Sequence, residues 1–271
     1  YISLFANNMY IILAITNNKI CFSAALTKYL IQVIIMSKHS IANNRYNENL
    51  SKIKEAFKNN YDVVYREFHT HKGDFCLIFI DNMCNAKYIS DDITYPLIHK
   101  EPLPDNIGII KSEILNANTV GHVESISEAI SHIVTGDVVI LFSFVDGMLY
   151  AEAKGYAKRS VELPITETVI KGPREGFAED LSQNISQIRR RIKSPKLKTE
   201  YFLVGEDSNT DVVLLYLEDK APKELVKYIR KKLSTIKPKY VLDINYIEEH
   251  LRCAGSFFNT IGYTEKPDIL S

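Results

Sequence analysis

"GPREGFAEDLSQNISQIRRRIKSPKLK", residues 172–198, is the stretch on which the reading of the fold turns. Gly172 suits a helix N-cap, and Pro173 suits the first helical position, where a missing N–H costs nothing. Glu175, Glu179 and Asp180 then bring negative charge to the positive end of the helix dipole. Phe177, Leu181, Ile185, Ile188 and Ile192 step by four, four, three and four, which is one buried stripe. Ser194-Pro195 closes the element. The pattern predicts a helix of about 21 residues, roughly 30 Å long at 1.5 Å per residue. A phosphate loop is the competing reading of Gly172 and Gly176, but Pro173 removes a backbone donor that a cradle would use. Neither GxxxxGK[ST] nor GxGxxG occurs anywhere in the chain.

The same segment ends in six basic residues (Arg189, Arg190, Arg191, Lys193, Lys196, Lys198) with no acid among residues 187–198. A helix C-terminus favours one or two cations. The surplus has four candidate destinations: anionic lipid, an acidic partner, RNA, or plain solvent. No aromatic residues interleave the run as stacking platforms for bases would require.

Around this segment the chain divides. "ENLSKIKEAFKN" (48–59) sets Leu50, Ile53 and Phe57 at helical spacing among charges. "VVYREF" (63–68) and "FCLIFI" (75–80) flank the polar "HTHKGD" and predict a hairpin. "ISEAISHIV" (126–134) predicts a helix capped by Ser125 or Ser127 and stopped at Gly136. "DVVILFS" (137–143) reads as a buried strand that Asp146-Gly147 turns into "MLYAEA" (148–153). "KRSVELP" (158–164) is an extended connector. Beyond it, "EYFLVG" (200–205) and "DVVLLYLE" (211–218) predict adjacent strands. "PKELVKYIRKKLSTI" (222–236) predicts a helix with Pro222 at its start and Leu225, Ile229, Leu233 and Ile236 inward. "KYVLDINYIEEHL" (239–251) predicts a short strand running into a helix. The expected architecture is α/β (α+β): two tandem α/β subdomains, 36–158 and 159–271, each with a small mixed sheet and flanking helices, and a cleft between them.

Residues 1–35 are apolar but interrupted by Asn7-Asn8 and Asn17-Asn18-Lys19, short of the roughly 20 apolar residues that span a bilayer. They are expected to be a non-native or unstructured extension ahead of Met36; a degenerate membrane-associated segment is the alternative. Lys+Arg and Asp+Glu both number 33, so no global field points to nucleic acid or to an anionic surface. Four cysteines without a CxxC read as reduced thiols.

Catalytic chemistry finds no support. No Ser sits in GxSxG, and no Cys has activating neighbours. His69 and His71 share a strand face but lack a third ligand, so a solvated turn accounts for them. His122-Val-Glu124 lacks the Pro-Cys-x-x-Cys of a zinc deaminase. Asp91-Asp92 and Glu248-Glu249 read as exposed charge. No enzyme, cofactor or metal is expected.

"RSVELPITETVIKGPREGFAEDLSQNISQIRRRIKSPKL" (159–197) resembles the signature of the A subunits of GerA-type spore germination receptors. The likeness continues through "VGEDSNTDVVLLYLE", "KKLSTI", "YIEEHL" and "YTEKPD" (263–268), so it covers residues 159–268. Gly172, Pro173, Arg174, Glu175, Gly176, Phe177, Glu179, Asn184, Arg189, Arg190 and Arg191 match the motif. Leu163, where the family prefers Glu, and "SFFNT" (256–260), where it has a proline, depart from it. Residues 36–158 fit the family's more variable first subdomain by length and pattern.

The resemblance implies the soluble N-terminal part of an A subunit, on the cytoplasmic (spore-core) side of the spore inner membrane and ahead of a membrane domain. It implies B and C subunits and other A subunits as partners, no nucleic acid, and a role in assembly and signal transduction in response to nutrients. In that family nutrient recognition is usually placed in B, and A subunits are thought to form the conducting channel. The matched motif residues are then expected at a subunit contact, with the basic end near the membrane or an acidic partner. Two readings from other classes stay open: a module binding a small nutrient or effector in the inter-subdomain cleft, and a nucleic-acid binder using the basic helix end.

Overall fold

In a computed structural model the described residues are 24–100, 102–155, 175–236, 239–241, 243–252 and 261–271, with the backbone of four short N-terminal strands. Those strands form two hairpins: β1 (Ile2–Ala6) with β2 (Met9–Leu13), and β3 (Ile15–Thr16) with β4 (Lys19–Ile20). Helix α1 (Ala24–Ala56) follows and runs unbroken across position 35/36, where the sequence suggests a boundary.

The first unit is built on a five-stranded sheet. Strands β5 (Val63–Thr70) and β6 (Gly73–Ile80) form the expected hairpin, with only His71 and Lys72 between the paired Thr70 and Gly73. The chain then runs through a 3-10 turn (Asp81–Met83), α2 (Ala86–Tyr88), a π-helical turn (Ile89–Thr94), α3 (Tyr95–His99), α4 (Ile107–Ile109) and a second π turn (Ile110–Ile114). Strand β7 (Val120–Val123), α5 (Ile126–Thr135), β8 (Asp137–Phe142) and β9 (Met148–Glu152) complete it, in the order β5-β6-β8-β9-β7. Every pairing is antiparallel, not mixed as expected from the sequence. The reason is connectivity: β5–β6 and β8–β9 are hairpins, and β7 adds to the far edge of β9. α5 lies between β7 and β8 in the chain and stops at Gly136, which holds φ +90° as its C-cap; Ser125 is the N-cap that accepts from the Glu128 N–H.

The central strands are apolar without alternation over Phe75–Ile80 and Val138–Phe142 because both faces of the sheet are covered. Phe75, Leu77 and Phe79 of β6 and Val138, Ile140 and Phe142 of β8 face the short turns, meeting Ile89, Ile93, Leu97, Ile110 and Ile114. Cys76, Ile78 and Ile80, with Val139 and Leu141, face α1 (Leu50, Ile53, Phe57) and α5 (Ala129, Ile133). The result is a helix–sheet–helix sandwich.

The second unit is smaller. α6 (Leu181–Arg191) leads into the antiparallel pair β10 (Leu197–Val204) and β11 (Thr210–Leu217), followed by α7 (Lys223–Ser234), α8 (Ile244–Leu251) and α9 (Pro267–Leu270). Its core is Val204, Leu233, Ile236 and Val241, against Phe202, Val212, Leu214 and Ile229. Pro222 is the N-cap of α7 instead of its first helical residue, and Val226, not Leu225, turns inward; Leu225 is 51% exposed. No strand forms at 239–241. There the backbone serves the β10–β11 turn instead: the Lys239 carbonyl accepts from the Asp207 and Ser208 N–H groups, and the Val241 carbonyl accepts from the Thr210 hydroxyl.

Candidate functional site at the junction of the two units

The motif segment is not the long rod that its spacing suggests. Residues 175–180 are irregular and the helix starts at Leu181, capped by the Asp180 carboxylate, which accepts from the Ser182 N–H at 2.9 Å. Phe177 therefore precedes the helical stripe, and eleven helical residues span about 16 Å. The expected cap at Gly172 and Pro173, and Arg174 with them, lie outside the described residues. The helix starts late because side chains bind the extended lead-in back onto the helix. Asn184 accepts from the Ala178 N–H and donates to the Ala178 carbonyl, both at 2.7 Å. Buried Gln187 donates to the Gly176 carbonyl at 3.2 Å, and Arg191 bonds the Glu175 carboxylate at 2.6 Å. On its other side the lead-in meets the tail, where the Phe177 N–H donates to the Glu265 carbonyl at 2.8 Å. Gly176 is thus closed in by α6 itself and by the segment before α9.

Arg189 is fully buried. Its Nε and Nη2 make a two-pronged contact with Asp62, at 2.9 and 2.8 Å, from the residue before β5 in the other unit. Its Nη1 donates to the Leu197 carbonyl, and Nη2 also reaches the Thr199 hydroxyl, which itself donates to Asp62 at 2.6 Å. A buried carboxylate and guanidinium are tolerable only when so fully partnered. Around the pair the first residues of β10 pass parallel to residues 59–61: the Tyr61 N–H donates to the Thr199 carbonyl, and the Thr199 N–H to the Asn59 carbonyl and Asn60 Oδ1. The Tyr61 and Tyr201 rings stand 5.3 Å apart beside them.

Most of the basic surplus is consumed here. Arg189 serves Asp62, and Arg191 serves Glu175. Lys196 pairs with Asp219 at 2.8 Å. Buried Lys198 donates to the Ala56 carbonyl at the C-terminus of α1, 2.9 Å away, with Glu218 at 3.4 Å. Arg190 is half-buried, Lys193 is exposed, and Glu179 is exposed at the start of the segment. One further acid is strongly held: Glu200 on β10 accepts from Arg230 of α7 at 2.7 and 2.6 Å and from the Tyr216 hydroxyl, which keep its carboxyl below the usual range.

Elsewhere, His69 bonds Asp74 across the β5–β6 hairpin. Among the described residues, four surface cavities of about 320 to 570 Å³ are each lined wholly by first-unit residues; the largest of these four lies between Lys38, His39, Asp105, Phe144 and Asp146. Spacing alone did not reveal Asp62, Asn60 and Thr199 as members of the site. The only trace is one acid and one polar pair beside an apolar strand.

Among the described residues no helix is long and apolar enough to cross a membrane. The family model described as "Bacillus/Clostridium GerA spore germination protein" matches residues 51–271. The chain is 33% identical over 83% of its length to the "Uncharacterized membrane protein YfkQ" of Bacillus subtilis, and 28% identical over 83% to "Spore germination protein KA" of the same species. It spans 44% and 42% of those two relatives, under half of each. Among solved structures it resembles the N-terminal domain of the A subunit of the Bacillus megaterium spore germinant receptor GerK3, with a TM-score of 0.62 and 25% identity over 83% of this chain and 85% of that one. The chain belongs to the GerA family of spore germination proteins, and the part it covers corresponds to the N-terminal domain of the GerK3 A subunit.

Proposed function

We propose that this domain acts in the assembly of a germinant receptor and in passing its signal, on the cytoplasmic side of the spore inner membrane, with B and C subunits and other A subunits as its partners. The observation that carries this reading is the buried Arg189–Asp62 contact. It fastens the motif helix of one unit to the sheet of the other, so that a push on either unit moves both. A cleft that closes on a small ligand needs its two halves to hinge. The bonds of Asn59, Asn60, Tyr61 and Thr199 oppose a hinge there, and the four cavities described above are lined by residues of the first unit.

In this reading the motif has an inner and an outer side. Asn184, Arg189 and Arg191 hold the segment in shape, while Glu179, Phe177 and Arg190, with Gly172, Pro173 and Arg174, meet the neighbouring subunit. Glu179 is exposed and caps nothing, so Glu179→Lys in the full receptor separates contact from folding. It is expected to lower co-isolation of the B and C subunits and to slow germination, with the unfolding midpoint of the domain unchanged. Normal assembly and germination in that variant would remove Glu179 from the subunit contact.

A further inference from the structure

The cations on α6 are absorbed within the fold, and the lysines on α7 are not. Lys223, Lys227 and Lys231 recur every four residues and form one stripe of that helix. Lys232 stands beside the Tyr228 ring, its Nζ 5.5 Å from the centroid. Among the described residues none of these four lysines makes an ion pair; on this helix only Arg230 does, with Glu200. Glu224 is the single acid, confined to the first turn. Tyr228 at 41% and Leu225 at 51% are exposed on the flank next to Lys231 and Lys232, while Val226 and Leu233 supply the inward face.

A helix whose task ended with shielding β10 and β11 would gain nothing from a bare leucine and tyrosine set among lysines. That combination suits a helix lying in the plane of a bilayer surface, with apolar side chains at the head-group boundary and ammonium groups at lipid phosphates. Two apolar side chains alone bind neutral lipid weakly, so the charge must do most of the holding; each lysine near an anionic surface raises partitioning by about fivefold. All four cations are lysines, which act as point charges, whereas recognition of protein carboxylates favours the two-pronged geometry of arginine.

We propose that the outer face of α7 docks on an anionic lipid surface. The proposal rests on the reading above only in that the domain works at a membrane.

The test is co-sedimentation of the 271-residue chain with vesicles of phosphatidylcholine alone or of equal parts phosphatidylcholine and phosphatidylglycerol. The expected result is binding to the anionic vesicles only, released by high salt. Lys227→Glu with Lys231→Glu is expected to weaken it at least tenfold, and Leu225→Ser with Tyr228→Ser several-fold. Lys52→Glu with Lys58→Glu changes the net charge equally, at exposed positions near the end of α1 and in the turn after it, and should bind like the parent. Absence of a preference for anionic vesicles overturns the proposal, as does an equal loss in the α1 variant, which would make the effect one of net charge. A chain that ignores vesicles but whose receptor still responds to Glu179→Lys would fail this inference and leave the subunit contact standing.

Discussion

Arg189 and Asp62 lie 127 positions apart and are both wholly shielded from solvent. Removing one partner strands the other charge in the interior, which typically costs about 3–5 kcal/mol; replacing both by apolar side chains of similar size is often close to neutral. Asp62→Ala is therefore expected to lower the unfolding free energy in urea by that amount. The pair Asp62→Leu with Arg189→Met should recover most of it. A loss below about 1 kcal/mol for Asp62→Ala would mean that the pair is replaceable by solvent. This role is invisible in the local sequence: three consecutive arginines at a helix end look alike, and only the packing decides that the first turns inward while the third reaches back to Glu175. Lys198 likewise reads as a surface cation until α1 presents its last carbonyls to it.

At the scale of elements, legibility follows the length and regularity of the pattern. β6 and β8 are readable because sandwiching gives each an uninterrupted apolar run, 75–80 and 138–142, and α5 because Ser125 and Gly136 mark both ends with distinct chemistry. The turns of residues 81–115 were not: helical pieces of three to six residues complete no period. α6 was misplaced at its start because Gly-Pro followed by acids satisfies the capping rules on paper, while the Asn184 clamp on Ala178 holds that lead-in off the helix. In α7 the expected Ile229, Leu233 and Ile236 do pack inward, and only the first position differs, Val226 taking the place of Leu225, since the two are equally apolar and differ only in which side faces β10.

The tie between α7 and β10 has a pH signature. The Arg230 and Tyr216 bonds hold the folded-state pKa of Glu200 below its unfolded value, so this contribution is full above the unfolded value near 4.3 and is lost as pH falls through the folded one. Glu200→Gln should flatten the loss of stability seen on acidification below about pH 4.5. An unchanged acid slope in that variant would assign the loss to other carboxylates.

For the whole molecule, among the described residues the apolar cluster on the two-stranded sheet of the second unit has four buried members. A lone hairpin of that kind is marginal in water, and helices or a neighbouring unit must support it. The junction supplies that support: β10 leans on residues 59–61, Lys198 on α1, and Arg189 on Asp62. The change of pattern at the connector 158–164 suggests two units in the sequence, but the dependence of β10 and α6 on residues 59–62 is not legible there, because it rests on side chains far apart in the chain.

The central claim is that the family motif makes the two units one cooperative body. Native-state hydrogen exchange, followed by mass spectrometry on peptides from β8 and from β10–β11, tests it most directly. In the parent chain both sets should open together with the same dependence on denaturant. In Asp62→Ala the β10–β11 peptides should exchange at least tenfold faster while β8 keeps most of its protection. Independent opening of β10–β11 in the parent, or equal protection of both sets in the variant, would contradict the account.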